Sequence, residues 1–270
     1  MLFLEDVFSY HNFGSICDSI PKFYAYDATN QIIITEYKAN SISFKNLIGK
    51  SHLSVLFSEV GFLLTVLHQL PMSERTKYSS FVPWFFTEKD KFRTELLLKD
   101  LNQTPILDDF DDFNFFEIIR SCEHIWQNNC YVHGDLKLDN ILFQRTSKKI
   151  YLTDWETFGM GDALWDLSFL LSQLITSYVI ENKLILLGRF IPLDSFLDNG
   201  LLLRDVRSLL KSYDLSESQF VKLNLFTAVN IIIYVLETIK YKNLGLKSKE
   251  LVGLAKRMIS EPHTYISIIK

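Results

Sequence analysis

The chain has no excess of basic residues. Its 28 Lys and Arg are outnumbered by 32 Asp and Glu, for a net charge of −4, so nothing in its charge points to nucleic acid as a partner. Cysteine is scarce: Cys17, Cys122 and Cys130 are an odd set of three with no C-x-x-C pair. That argues against a disulfide framework and for reduced, buried thiols in a cytoplasmic protein. The histidines show no ligand spacing, which argues against zinc. There is no internal repeat and no low-complexity segment. The N-terminus places Glu5 and Asp6 where a secretory leader would carry positive charge. No apolar run is a good match to the roughly 20 residues that a bilayer span needs. Ala163 to Ile180 is interrupted by Asp166 and several polar residues, and Leu225 to Ile239 is short and contains Asn230. Both read as buried helices, with no membrane partner.

What is present is enough for a sizeable core. The 270 residues are 48% hydrophobic and 14% aromatic, which excludes a disordered chain and fits one large domain or two lobes. Leu4, Val7 and Phe8 have helical spacing, and Pro21 ends any helix before it. Two strands are expected at Lys22 to Asp27 and Gln31 to Tyr37, joined by the turn-like Ala28-Thr29-Asn30. A helix is expected from Leu53 to Leu70, closed by Pro71, and an amphipathic one from Phe115 to Trp126. The intervening stretch, from about Pro83 to Asn114, is mixed and aromatic and reads as short helices and loops. Beyond Asp162 the pattern is almost entirely helical. Between these helical parts the texture changes. Cys130 to Asn140 reads as a short strand and loop, and Ile141-Leu142-Phe143, a polar turn and Ile150 to Trp155 read as a hairpin.

That loop and hairpin carry the chemistry. His133-Gly134-Asp135-Leu136-Lys137-Leu138-Asp139-Asn140 matches the kinase catalytic-loop pattern H-x-D-L-x-x-x-N. A hydroxyl attacking the terminal phosphate of ATP must be oriented and must lose its proton, and Asp135 can do both. Asn140 offers a carbonyl oxygen to magnesium. The hairpin returns Asp154 beside it as the main carboxylate ligand, the oxygen chemistry that a hard cation takes. Single residues could be explained structurally, Asp135 as a turn residue and Asp154 as a helix cap. The full set, ending in Asp154-Trp155-Glu156, is hard to explain that way. Lys137 can reach the transferring phosphate or stand as a solvated surface lysine. His133 is expected to order the loop, and His68 to pack.

These residues, with the later Gly161-Asp162-Ala163-Leu164-Trp165-Asp166-Leu167, resemble the motifs of the aminoglycoside phosphotransferase and choline kinase group. The resemblance is specific from His133 to Leu167 and extends loosely over most of the chain. It implies an α+β, protein-kinase-like two-lobed fold with a large, mainly helical C-terminal lobe. It also implies Asp135 as base, Asn140 and Asp154 as magnesium ligands, and a small-molecule hydroxyl as acceptor. Asp166 would brace the catalytic loop. Ile32 to Tyr37 looks like the strand entering the hinge, where Glu36 and Tyr37 would offer backbone groups to adenine. Gly134 replaces the arginine of protein kinases, Glu156 replaces the third residue of D-F-G, and no A-P-E follows. These departures favour a small acceptor over a protein.

The phosphate-covering elements of kinases are not legible. Upstream of His133 the only glycines are Gly14, Gly49 and Gly61, and none forms a glycine-rich loop. Lys22 and Lys38 flank the two strands without a following helix that carries a partner glutamate. Glu5 lies near the place of that glutamate and serves equally as a plain helix N-terminal acid. The expectation is therefore a truncated or reduced N-terminal lobe, residues 1–37, and a catalytic lobe, residues 38–270. The function expected is ATP- and magnesium-dependent phosphoryl transfer. The alternatives are a pseudokinase-like nucleotide-binding module, or an incomplete kinase whose missing strands come from a partner chain. Gly159-Met160-Gly161 begins a dinucleotide fingerprint that no third glycine completes. The acidic cluster Asp108, Asp109, Asp111 and Asp112 reads as helix N-terminal charge or as a rim for a cationic substrate.

Overall fold

The computed structural model of the chain describes residues 16–27, 29–30, 32–49, 53–71, 79–87, 115–180, 200–238 and 246–263. The expected first helix with Glu5, the cluster from Asp108 to Asp112 and most of the stretch before Asn114 lie outside the described residues. In chain order the elements are β1 (Phe23–Asp27), β2 (Ile32–Thr35), β3 (Ser41–Ser43), α1 (Leu53–His68), α2 (Phe115–Ile125), β4 (Cys130–Val132), β5 (Ile141–Gln144) and β6 (Lys149–Leu152). They continue with β7 (Gly159–Gly161), α3 (Ala163–Ile180), α4 (Gly200–Leu210), α5 (Glu217–Thr238) and α6 (Leu246–Ser260). Two compact units form: residues 1–81, 128–166 and 204–214, and residues 82–127, 167–203 and 215–270.

The first unit holds all the strands among the described residues. β1 and β2 form an antiparallel hairpin with Asp27 opposite Ile32. The Asp27 carboxylate sets its turn, accepting from the backbone N–H groups of Thr29 and Asn30 at 2.9 and 3.1 Å, the usual reason for Asp at such a corner. Tyr24, Tyr26, Ile32, Ile33 and Ile34 of this hairpin are exposed. β3 pairs with β5, and β5 with β6, in one antiparallel sheet. β3 and β7 are the strands that the sequence pattern does not announce. β7 pairs with β4 and also bonds to the segment before Val82: Phe81 N donates to Met160 O at 2.7 Å and Met160 N to Ser79 O at 3.0 Å. A Cβ on Gly159 would meet Ser79 O at 2.5 Å, so close backbone approach explains this glycine without a dinucleotide.

α1 buries Leu53, Phe57, Val60, Leu63, Leu64 and Leu67, the 3.6-residue stripe expected of an amphipathic helix. Gly61 lies on the same helix, and a Cβ there would come within 2.0 Å of Leu209 O in α4. Gly61→Ala should therefore lower stability by about 1–3 kcal/mol, the usual cost of overpacking a close contact. Helix propensity alone would predict a gain of up to about 1 kcal/mol. Urea unfolding decides between the two, and a more stable variant would show that the helices separate without cost.

The second unit is helical. α5 packs on α6 and on α2, and Trp126 meets Phe86 edge to face and Phe226 at a tilt, with ring centroids 5.6 and 5.9 Å apart. α3 and α5 are long and apolar enough to cross a membrane, yet 72% and 67% of their apolar windows lie buried within the protein. They serve as core helices. One polar pair joins them inside the core: Asn230 Nδ2 donates to Ser168 Oγ at 3.1 Å.

Candidate active site

The catalytic loop leaves β4 and returns to β5 within the first unit. Gly134 turns it, with φ of +85°. A Cβ there would sit 2.8 Å from Thr157 O and 2.9 Å from the Phe81 ring. The conformation and the crowding together call for glycine, where a protein kinase has arginine. Asp166 braces the turn from beneath, as the resemblance implied. It is fully buried and accepts from the N–H of His133 at 2.8 Å and of Gly134 at 2.9 Å. Thr157 Oγ1 donates to His133 O at 2.8 Å and Trp165 Nε1 to Gly134 O at 3.3 Å. The backbone of the turn is thus held on both its donor and its acceptor sides.

His133 lies buried against Trp155, with ring centroids 4.4 Å apart. Burial pushes its pKa down. The neutral ring donates from Nε2 to Thr153 O at 2.9 Å, which joins the loop to the residue before Asp154. This is an ordering role, as expected. His68 does more than pack. Its Nε2 lies 3.2 Å from Asp166 Oδ2 and its Nδ1 lies 2.8 Å from the Tyr213 hydroxyl. A buried chain of Tyr213, His68 and Asp166 therefore supports the loop. Burial raises the Tyr213 pKa well above its ordinary value, so the phenol stays protonated and donates.

Above this base the four loop and hairpin residues converge. Asn140 Nδ2 donates to Asp135 O at 2.9 Å, to Asp135 Oδ2 at 3.2 Å and to Asp154 Oδ2 at 3.3 Å. Lys137 Nζ lies 2.7 Å from Asp135 Oδ2 and 3.8 Å from Asp154 Oδ2. Partial burial works to lower the Lys137 pKa, but the Asp135 hydrogen bond and the nearby carboxylates outweigh it and the pKa rises. Lys137 is a firm cation. Asp154 stands two residues past β6 with φ 66° and ψ 58°, a left-handed conformation uncommon outside glycine. Among the described residues no three His, Cys, Asp or Glu gather as a metal cage. The Asp154 carboxylate and the Asn140 amide fit magnesium, which usually takes one or two protein carboxylates and completes its shell with phosphate and water.

Where the sequence suggests a hinge, the backbone is partly engaged: Glu36 N donates to Lys22 O at 2.7 Å and Ala39 N donates to Tyr37 O at 3.2 Å. Tyr37 itself is 87% exposed. Lys38 has a glutamate partner after all, two residues before it rather than on a helix. Its Nζ lies 2.7 Å from Glu36 Oε2 and 3.9 Å over the Tyr151 ring. The Lys38 hydrogen bond holds the Glu36 carboxyl below its usual range.

A loop aspartate, an amide and a second aspartate thus lie together beside a turn that a buried carboxylate braces. The family model described as "Phosphotransferase enzyme family" matches residues 34–183, and the chain belongs to that family. Its fold is shared with a choline/ethanolamine kinase family protein from Mesorhizobium loti, at 15% identity and a TM-score of 0.58, over 93% of this chain and 78% of that one. Choline kinase LicA from Streptococcus pneumoniae aligns at 14% identity with a TM-score of 0.53, over 95% of this chain and 80% of the other. An amicoumacin kinase in complex with AMP-PNP, Ca2+ and Ami aligns at 14% identity with a TM-score of 0.56, over 96% and 77%. No curated protein matches the chain by sequence. The fold is therefore α+β and two-lobed, kinase-like, with a small N-lobe sheet and a large helical C-lobe.

Proposed function

We propose that this chain transfers the γ-phosphate of ATP, with magnesium, to a hydroxyl of a small molecule in the cytoplasm. The observation that carries the reading is the convergence of Asp135, Lys137, Asn140 and Asp154 on one short stretch of surface. Asp135 would accept the hydroxyl proton and hold the oxygen in line. Lys137 would reach the transferring phosphate. Asn140 and Asp154 would hold magnesium, which when bound would offset the charge that grows on the phosphates. The backbone of Glu36 and Tyr37 would meet adenine at the end of an N-lobe spanning residues 1–37. Family membership supports the reaction class. The glycine at position 134 and the absence of an A-P-E motif support a small acceptor, and relatives named for choline, ethanolamine and amicoumacin are in keeping with one.

The exposed apolar hairpin of β1 and β2 favours a second reading, in which further strands come from another segment or a partner chain. An isolated two-stranded hairpin is marginal in water. The test is Mg-ATP binding by calorimetry, with ADP release followed across choline, ethanolamine and aminoglycoside acceptors. A chain that neither binds Mg-ATP nor releases ADP would overturn the proposal.

Asp154 gives a sharper check. Asparagine tolerates the left-handed backbone, so Asp154→Asn should fold normally and lose magnesium-dependent nucleotide binding. Asp154→Ala should lose the same binding and also about 1–2 kcal/mol of stability, the cost of a left-handed residue without a local polar side chain. Asn140→Ala should weaken metal binding less, because an amide balances no charge. Equal binding in wild type and Asp154→Asn would remove Asp154 from the metal site.

A further inference from the structure

Asp135 and Asp154 share one cation, and that cation is Lys137. Its ammonium lies 2.7 Å from Asp135 Oδ2 and 3.8 Å from Asp154 Oδ2. The Asn140 amide also turns its nitrogen, not its oxygen, toward both carboxylates, at 3.2 and 3.3 Å. Lys137 and Asn140 therefore face the Asp154 oxygen that a metal ion would take and the Asp135 oxygen that would take a proton. Two carboxylates this close to one ammonium repel each other, and the ammonium offsets that repulsion at short range. A divalent cation arriving at Asp154 meets a negative charge already partly offset and an amide facing the wrong way.

We infer that Lys137 is a counter-ion shared by Asp135 and Asp154, and that metal binding at Asp154 displaces it and frees Asp135 Oδ2. The inference rests on the reading of Asp135 as base and Asp154 as metal ligand. While Lys137 and Asn140 hold Asp135 Oδ2, that oxygen is poorly placed to take a hydroxyl proton. Metal at Asp154 repels the ammonium, and the amide must rotate to offer its oxygen. The Lys137 side chain is 37% exposed on a flexible four-carbon stem, so it can move without unpacking the core. The released ammonium then finds the incoming phosphate. Loading with metal thus frees Asp135 Oδ2, the oxygen that Lys137 and Asn140 hold.

The test uses Mn2+ alone, without nucleotide, and counts bound ion by electron paramagnetic resonance on the full chain. Lys137→Met and Lys137→Gln should each bind Mn2+ about 10–100-fold more tightly than wild type. Lys137→Arg, which keeps the cation, should bind as wild type does. Methionine and glutamine variants no tighter than wild type would overturn the inference. The accompanying Asp154→Asn variant separates the failures. If it loses Mn2+ while Lys137→Met gains nothing, the metal site stands and the counter-ion role falls. If it binds Mn2+ as well as wild type, both fall. Thermal midpoints within a few degrees confirm that the variants are folded, as expected for a half-exposed loop residue.

Discussion

Asp135→Asn should lower phosphoryl transfer by about 10²–10⁴-fold, the usual worth of a positioned general base, while Mg-ATP binding and the thermal midpoint stay close to wild type. The substitution keeps size and shape. It also keeps the Asp135 carbonyl that accepts Asn140 Nδ2 at 2.9 Å, so the loop should hold its course. What it removes is the capacity to take a proton and the ion pair with Lys137. That pair is part-exposed on both sides, and such pairs contribute about 0–1 kcal/mol to stability. Catalysis and stability should therefore separate cleanly in this variant. The measurement is single-turnover ADP formation with whichever small alcohol proves to be the acceptor, beside a melting curve. Unchanged turnover would take Asp135 out of the chemistry. A large fall in midpoint would mean that the aspartate is chiefly structural.

The parts of the site that sequence revealed are those written in contiguous residues. His133 to Asn140 and Asp154 to Glu156 carry their geometry locally, because a short hairpin of β5 and β6 joins them. The same holds for α1, whose apolar stripe sets its limits within two residues. Other features needed the fold. His68 and Tyr213 meet across 145 positions, and neither flank hints at a partner. β3 and β7 are strands of three residues, too short for any alternation to register. Gly159 had a motif-like neighbourhood whose cause was backbone crowding from Ser79 and Phe81. The Glu36 and Lys38 pair is hidden differently: the glutamate that meets the lysine stands two positions before it and not on a following helix. Sequence thus pointed to the candidate chemical groups and to Asp166 and His133 beside them, while His68, Tyr213 and Thr157 needed the fold.

Asp166→Ala should be the most destabilising polar substitution in the first unit, at about 3–5 kcal/mol, the range for removing one member of a buried charged network. The carboxylate accepts three hydrogen bonds: Oδ2 from His133 N and from His68 Nε2, and Oδ1 from Gly134 N. With the carboxylate gone, two backbone N–H groups and an imidazole N–H are left buried without an acceptor, and each such group costs about 1–3 kcal/mol. The loss corresponds to a fall in midpoint on the order of 10 °C for a chain of this size. Asp166→Asn should cost less, since its one oxygen still accepts, but its amide must then face a backbone donor. Both variants should lose activity beyond their loss of folded protein, because Gly134 is then held only by its own strained turn and by Trp165, and Asp135 follows it directly. A double-mutant cycle with His68→Leu should show coupling, with the pair costing less than the sum of the singles. If Asp166→Ala melts with wild type, the brace is not what sets the loop, and the left-handed turn at Gly134 must be sufficient by itself.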